Sequence, residues 1–322
     1  MIDNYKCEIC SNNTFSYLYK GIDRFYGIEG TFDFYRCNEC GLIFISPFPG
    51  EGALKKYYPK DYYSYTDTER IMPKPQSLKE KVCFYVFHPL KGLNCVLYSK
   101  LLKQKDPLTY KKGLKVLDIG CGDGRYLLEK RRYECECFGV DIDYEALKRL
   151  RAKDSSIRTY CGNLQEAGLQ NEAFDIVNLD NVLEHITEPG KLLNEVRRVM
   201  KKGAVLRVVV PNSVSFTYGI FCKYWMGLDC PRHLYTFSIK NLKRLFRNTH
   251  FHIDNCRTIE NSYHFIGSMI YIYNKLFGKK RKVITCASIW DNELLKFLFS
   301  PYAIFVNSFR VGDVVEFILR NE

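Results

Sequence analysis

In this chain of 322 residues, the stretch Val116–Gly124, which reads VLDIGCGDG, indicates the fold most clearly. Its first residues predict a buried strand, and three glycines at alternate positions, Gly120, Gly122 and Gly124, then lead into a helix. Glycine lets a backbone turn sharply and pass close to a ligand at the carboxyl end of a parallel strand. The following segment Gly139–Asp143 (GVDID) places a second acid at the end of the next strand. Together the two segments indicate a site for a nucleoside cofactor.

Strands alternate with helices from Gly113 onward, which predicts βαβ units and a parallel sheet. The predicted strands are Lys115–Ile119, Cys137–Asp141, Ile157–Cys161, Ile176–Leu179 and Val205–Val210. Pro189 begins a predicted helix that Gly203 ends, and Ser238 caps another helix that runs through Phe246.

Two further strands, Phe251–Ile259 and Val314–Leu319, are expected to pair at an edge of the sheet. The apolar segment between them, at about 260–310, is predicted to form an inserted pair of helices, Tyr263–Phe277 and Leu294–Phe309. Such an insert either covers an active site or lies on a membrane, and we favour the cover.

Composition divides the chain into three parts. Residues 1–50 are rich in cysteine, glycine and aromatic residues and end at a proline-containing break, and residues 51–112 show no strand alternation. We therefore predict a small N-terminal module at 1–50, a helical linker at 51–112 and an α/β domain at 113–322.

Positive charge is concentrated in two places. The formal net charge is +12, residues 74–112 hold nine lysines against two acids, and residues 279–282 are all basic. Such patches suit phosphate-bearing partners, or simply keep exposed helix faces soluble. The N-terminus lacks the pattern of a secretory signal and no run of 18 uncharged apolar residues occurs, so we predict a cytoplasmic protein with reduced thiols.

The glycine spacing distinguishes two classes of nucleoside cofactor. A dinucleotide site uses G-x-G-x-x-G, whereas here Asp118 precedes glycines that are one residue closer together. An acid at the strand end would repel a pyrophosphate but can accept a hydrogen bond from an ammonium group, which favours a nucleoside that carries an amino acid. Asp141 stands where a carboxylate can bind ribose hydroxyls, and the amide of Asn163 follows the third strand, where it can meet an adenine edge.

The sequence resembles the class I S-adenosylmethionine-dependent methyltransferases. The matching segments are Leu117–Gly124, Gly139–Asp143, Phe174–Val177 and Asn181–Ile186. The resemblance implies a Rossmann-like sheet of seven strands, the last of them antiparallel, and S-adenosylmethionine as the cofactor. It places Asp118 and Gly120 at the methionine end, Asp141 at the ribose and Asn163 at the adenine. The other expected cofactor contacts are Gly122, Gly124, Ile142, Leu164 and Asp180.

Two thiol pairs predict a structural zinc site. Cys7 and Cys10 form one C-x-x-C pair and Cys37 and Cys40 form the other, with 26 residues between the pairs. Two such turns complete a tetrahedral set of four thiolates. The surrounding residues 35–47 resemble the N-terminal zinc module of a bacterial methyltransferase group associated with sugar and surface-glycan biosynthesis.

Two histidines are candidates for the catalytic base. His185 follows the fourth predicted strand and His233 follows the fifth, so both belong to the edge of the sheet where the cofactor is expected. A neutral histidine can take a proton near pH 7, and the alternative for each is a packing role. The Glu184–His185 pair also resembles quinone-biosynthesis O-methyltransferases, in which nearby acids hold a divalent cation, but Asn181 replaces an acid here. Arg232 could bind an anionic acceptor or form a structural salt bridge.

These observations lead to one functional hypothesis and two alternatives. The hypothesis is an S-adenosylmethionine-dependent methyltransferase that acts, on oxygen or carbon, on a sugar or related small molecule in surface-glycan or secondary-metabolite biosynthesis. A nucleotide-linked or lipid-linked sugar acceptor would suit the positive charge, with peripheral contact to an anionic membrane. The alternatives are an RNA methyltransferase, which the lack of an Arg-and-aromatic platform disfavours, and a non-catalytic scaffold that binds the cofactor.

Overall fold

The computed structural model describes residues 5–59, 107–259, 262–278 and 298–322. Their strands are β1 (Phe15–Gly21), β2 (Phe32–Cys37), β3 (Ile43–Ser46), β4 (Lys115–Ile119), β5 (Glu136–Asp141), β6 (Arg158–Cys161), β7 (Phe174–Asp180), β8 (Met200–Pro211), β9 (Tyr235–Thr236), β10 (Phe251–Thr258) and β11 (Val314–Asn321). Their α-helices are α1 (Glu51–Lys55), α2 (Arg125–Arg131), α3 (Tyr144–Lys153), α4 (Pro189–Val199), α5 (Phe216–Phe221), α6 (Ile239–Asn248), α7 (Tyr263–Phe277) and α8 (Ser300–Ser308).

The larger sheet has seven strands in the order β10-β11-β8-β7-β4-β5-β6. The five strands β4 to β8 are mutually parallel, while β11 runs antiparallel to both of its neighbours, β8 and β10. This confirms the predicted seven-stranded sheet with an antiparallel last strand. The last strand is not at the edge, however, because β11 lies between β8 and β10. The glycine turn after β4 is at the centre of the sheet, where the strand order reverses.

The smaller sheet joins the N-terminal residues to the second half of the chain. Strands β1, β2 and β3 form an antiparallel meander, and β9 completes it by pairing with β3. Residues 43–45 of β3 and Leu42 before them are at most 1% exposed and belong to the same buried core as strands of the larger sheet. The side-chain amide of Asn241 also donates to the carbonyl of Cys40 over 2.8 Å. The N-terminal sheet is therefore packed directly on the α/β domain.

Most of the predicted elements are present with shifted ends. The capped helix is confirmed as α6, in which the hydroxyl of Ser238 accepts a hydrogen bond from the backbone N–H of Asn241. The predicted helix from Pro189 to Gly203 is confirmed as α4 through Val199 and is wrong only at its end, because the ladder of β8 already begins at Met200, which pairs with Phe174. Gly203 therefore lies within a strand rather than after a helix.

The predicted insert and linker are described only in part. The helix Tyr263–Phe277 is confirmed as α7, and α8 falls within the predicted second helix, Leu294–Phe309. Residues 279–297 and 60–106, which carry most of both basic patches, lie outside the described residues. Within the described ranges, no helix is long and apolar enough to cross a membrane.

Candidate functional site

The turn between β4 and α2 fits only glycine at two positions. Gly120 and Gly124 have positive φ angles of 70° and 77°. A Cβ on Gly120 would lie 2.6 Å from Val182 Cγ2, and one on Gly124 would lie 2.2 Å from Leu150 Cδ1. Glycine adopts this left-handed backbone without steric cost, so the sequence allows the chain to turn tightly at the carboxyl edge of the sheet.

Asp141 ties the end of β5 to this turn. One carboxylate oxygen accepts from the N–H of Gly122 over 2.7 Å, and the other accepts from the N–H of Asp143 over 2.8 Å. Burial raises the pKa of Asp141, while these two backbone donors counteract the shift. The next residue, Ile142, is 71% exposed, which is unusual for isoleucine and leaves an apolar surface open beside the turn.

The remaining expected cofactor contacts occupy different environments. The side-chain oxygen of Asn163 accepts from the N–H of Glu166 over 2.9 Å, so Asn163 caps a local turn. Leu164 is only 2% exposed and packs into the core. Asp180 is partly exposed at the end of β7, and its carboxylate accepts from Arg207 over 2.9 Å.

Asp118 is buried at the end of β4 and begins a row of polar side chains across the sheet. Asn178 donates to Asp118 over 2.7 Å, and Arg207 donates to the side-chain oxygen of Asn178 over 2.9 Å. Because a guanidinium can only donate, Arg207 fixes the amide of Asn178 with its NH2 group toward Asp118. Burial raises the pKa of Asp118 to about 7, and the hydrogen bond from Asn178 opposes the increase.

The row continues to the far side of the sheet. Arg207 donates to Glu316 on β11 over 2.7 Å, and Arg257 on β10 pairs with the same carboxylate. Sequence reasoning missed Asn178, Arg207 and Glu316. Each interrupts a run of apolar residues within its strand, and that interruption is the signal that marks it.

His185 and His233 are brought together, with their ring centroids 4.8 Å apart in an edge-on arrangement. Nδ1 of His185 lies 2.9 Å from the carbonyl oxygen of Arg232, and Nδ1 of His233 lies 2.9 Å from that of Gly227. A carbonyl can only accept, so each Nδ1 carries the proton and each Nε2 keeps its lone pair. The hydroxyl of Tyr58 also lies 3.2 Å from Nδ1 of His185.

Both imidazoles are held in the neutral form. Burial, assisted by the adjacent His233, lowers the pKa of His185 to about 3. Burial also lowers the pKa of His233, although Asp229 acts in the opposite direction. Each histidine therefore keeps an unprotonated Nε2 near neutral pH.

Glu184 lies beneath the two histidines with no exposed surface. Among the described residues, neither of its carboxylate oxygens has a hydrogen-bond partner. Its Oε1 lies 3.9 Å from Nε2 of His233. Burial raises the pKa of Glu184 well above its ordinary value. A buried carboxyl without partners is costly, so this group requires an explanation.

Arg232 forms a structural salt bridge and does not bind an anionic acceptor. Its guanidinium is fully buried and binds Asp229 over 2.6 Å and Asp23 over 2.9 Å. A third contact runs from Nη1 to the carbonyl oxygen of Tyr57 over 2.9 Å. With its donors engaged in this way, the side chain is not available to an anionic acceptor. It connects the N-terminal residues to the loop that carries His233.

The four N-terminal cysteines converge on one point. The Sγ atoms of Cys7 and Cys40 are 3.5 Å apart, as are those of Cys10 and Cys37, and all four lie within 4.8 Å of one another. Four thiolates each about 2.3 Å from a zinc ion would be roughly 3.8 Å apart in a tetrahedron. The arrangement therefore fits a zinc ion.

Comparison with known proteins identifies the central part of the chain. Residues 117–208 match the family model of the methyltransferase domain, and this range extends from the strand before the glycine turn into β8. The central part of the chain therefore resembles a methyltransferase domain. The matched range includes Asp118, Asp141 and His185, whereas the four cysteines and His233 lie outside it.

Three curated relatives are similar to part of this chain. An uncharacterized protein of Methanocaldococcus jannaschii, MJ0638, is 34% identical over 43% of this chain and 59% of its own length. A probable S-adenosylmethionine-dependent methyltransferase of Mycolicibacterium smegmatis is 30% identical over 33% of this chain and 42% of its own. A ubiquinone biosynthesis O-methyltransferase of Hahella chejuensis is 32% identical over 34% of this chain and 48% of its own length. The chain thus spans about half the length of these relatives.

Proposed function

We propose that the chain transfers a methyl group from S-adenosylmethionine to a small-molecule acceptor. One observation carries this proposal. The methyltransferase domain places its glycine turn at the same edge of the sheet as two neutral histidines whose Nε2 atoms keep their lone pairs. A site that combines a nucleoside-binding turn with a proton acceptor suits transfer of a group to a hydroxyl or an activated carbon.

Different residues near the turn would contact the methionine, ribose and adenine parts of the cofactor. Asp118 would accept from the ammonium of the methionine moiety, and Asp141 would bind the ribose hydroxyls. The exposed side chain of Ile142 would cover one face of the adenine, which explains why an isoleucine is left 71% exposed. Asn163 and the backbone of Leu164 would contact its edge. The bound cofactor supplies the electrophilic methyl group.

His233, or failing that His185, would remove the acceptor's proton at Nε2. Transfer from a sulfonium needs an acceptor atom aligned with the methyl group and relieved of its proton. The carbonyls of Gly227 and Arg232 fix the ring orientations through Nδ1, so neither ring needs to reorient to present Nε2. Asp229, whose Oδ2 lies 3.9 Å from Nε2 of His233, would stabilise the imidazolium that forms.

A sugar or related small molecule, linked to a nucleotide or lipid, remains our proposed acceptor class. The resemblance of residues 35–47 to a glycan-associated module supports it, as does the net charge of +12. The name of the Hahella chejuensis relative supports methylation of oxygen. For a lipid-linked acceptor, Leu276 and Phe277 at the end of α7 are 66% and 43% exposed and could rest on an anionic membrane. An RNA acceptor and a scaffold role are the alternatives.

Residues 1–50 would form a zinc module that stabilises the N-terminal sheet. The four converging thiols and the burial of Cys7, Cys37 and Cys40 support this role. Purified protein is expected to retain zinc through gel filtration, and Cys37→Ser should release it and loosen β1 to β3, because structural zinc contributes directly to folding. Metal analysis and hydrogen exchange would measure both effects, and zinc-free protein with a protected N-terminal sheet would contradict the assignment.

Methyl-labelled S-adenosylmethionine tests the activity. The protein would be incubated with nucleotide-linked sugars, polyprenyl-diphosphate sugars, catechols and RNA in parallel, and transfer of label to each would be counted. Label in the sugar fraction would support the proposed acceptor, and label in RNA alone would replace it with the alternative. Binding of the cofactor without transfer to any acceptor would favour a scaffold.

Affinity for S-adenosylmethionine is expected to rise with pH until about pH 7. Burial raises the pKa of Asp118 to about 7, so below this pH the carboxyl is neutral and attracts an ammonium group weakly. The gain should be about tenfold per pH unit below the pKa and should level off above it. In the free protein the same raised pKa makes the contribution of Asp118 to stability largest in acid and lost as pH rises through about 7.

Calorimetry at several pH values measures this dependence, with Asp118→Asn as the matched variant. The variant should bind more weakly at neutral pH and show a flatter pH profile. Identical profiles for the two proteins would remove Asp118 from the cofactor site.

A further inference from the structure

We propose that Glu184, His185 and His233 form a binding site for a divalent transition-metal cation, separate from the four cysteines. The possible ligand atoms, one carboxylate oxygen and two imidazole nitrogens, all lie within 4.8 Å of one another. Two histidines and one carboxylate are a recurrent ligand set for zinc and iron sites that keep open coordination positions.

The two imidazoles are already oriented as cation ligands. Histidines that bind metals usually donate their other ring N–H to a carbonyl or carboxylate, which fixes the tautomer. Here the carbonyls of Arg232 and Gly227 accept from the two Nδ1 atoms over 2.9 Å each, so both free lone pairs belong to Nε2. The ring centroids are 4.8 Å apart, and one nitrogen of each ring lies within 4.8 Å of the other and of a Glu184 oxygen.

The environment of Glu184 supports a cation site independently of the two histidines. It has no exposed surface, and within the described ranges both of its oxygens lack a hydrogen-bond partner. The neighbouring salt bridge does not supply one, because Arg232 binds Asp23 and Asp229. A cation between Glu184 and the two Nε2 atoms would compensate the buried carboxylate, as the burial of such a group requires.

The position of the site indicates its use. Three protein ligands leave at least one position open, at the edge of the sheet that carries the glycine turn. A cation there would bind an acceptor hydroxyl and lower its pKa, with the proton leaving to solvent. The two histidines would then act as ligands rather than as free bases. This use rests on the proposed function, whereas the binding of the cation does not.

The zinc content of the whole chain tests the proposal. Wild-type protein equilibrated with Zn²⁺ and then desalted is expected to hold two zinc ions per chain, one of them at the four cysteines. Glu184→Gln and His233→Gln each keep most of the side-chain volume and should lower the count to one. His250→Asn, which changes an exposed histidine after α6, is the matched control and should keep two.

Two outcomes would overturn the proposal, namely one zinc per wild-type chain, or two zinc ions in a folded site variant. Circular dichroism establishes that each variant is folded, and either folded variant is sufficient for the test. Calorimetry with S-adenosylmethionine separates this result from the proposed function. Wild-type protein with one zinc that binds the cofactor would refute only the cation site, and protein with two zinc ions and no cofactor binding would refute only the methyltransferase assignment.

Discussion

Simultaneous replacement of His185 and His233 with alanine is expected to abolish methyl transfer while the protein still binds S-adenosylmethionine. Both residues offer an Nε2 lone pair at the edge of the sheet, whether to a proton or to a cation. Removal of a positioned acid–base group costs about 10²–10⁴-fold in rate, and the double replacement removes both histidine candidates. Neither side chain belongs to the glycine turn, so cofactor affinity should change little.

The measurement is turnover of the labelled cofactor with the best acceptor, together with calorimetric binding of the cofactor. The matched control is His250→Ala, which removes a histidine from the surface. Single variants would rank the two residues, and we expect His233→Ala to cause the larger loss. A double variant with wild-type turnover would exclude both histidines from the reaction.

Arg232→Met is expected to destabilise the protein by about 3–5 kcal/mol, because it leaves buried carboxylates without their cation. Arg232 has no exposed surface and holds Asp23 from the N-terminal residues and Asp229 from the loop of His233. Methionine can replace the volume of the arginine stem, so the loss should come mainly from charge rather than from a cavity.

Urea unfolding of wild type, Arg232→Met and the control Arg247→Met measures this difference. Arg247 is exposed on α6, and its replacement should change the free energy of unfolding by less than about 0.5 kcal/mol. Addition of Asp23→Asn to Arg232→Met should recover part of the loss, because one uncompensated carboxylate is removed. A loss below about 1 kcal/mol for Arg232→Met would show that the salt bridge is not a major link between the two parts of the chain.

Local patterns in the sequence predicted the parts of the fold that local chemistry controls. The glycine turn, the parallel strands and the cap at Ser238 each follow from a few neighbouring residues. The end of α4 did not, because pairing with Phe174 recruits Met200 into a strand despite its place in the apolar helix pattern. The insertion of β11 between β8 and β10 also depends on long-range pairing, which no local pattern encodes.

The candidate site, like the fold, could be predicted from local patterns only in part. His185 and His233 could be selected one by one, since each follows a predicted strand, but their contact could not. The role of Arg232 depends on Asp23, which is distant in the sequence and reaches it only through the packing of the N-terminal sheet. The partners of Asp118 were detectable only as polar residues that interrupt apolar runs in their strands, and their order across the sheet needed the strand topology.

Calorimetric titration of the wild-type chain with S-adenosylmethionine shows whether the glycine turn binds this cofactor. We expect one cofactor molecule per chain, no heat of binding with NAD, and much weaker binding by Asp141→Ala. Absence of cofactor binding by folded wild-type protein, or binding that Asp141→Ala leaves unchanged, would contradict the assignment of the glycine turn as the cofactor site.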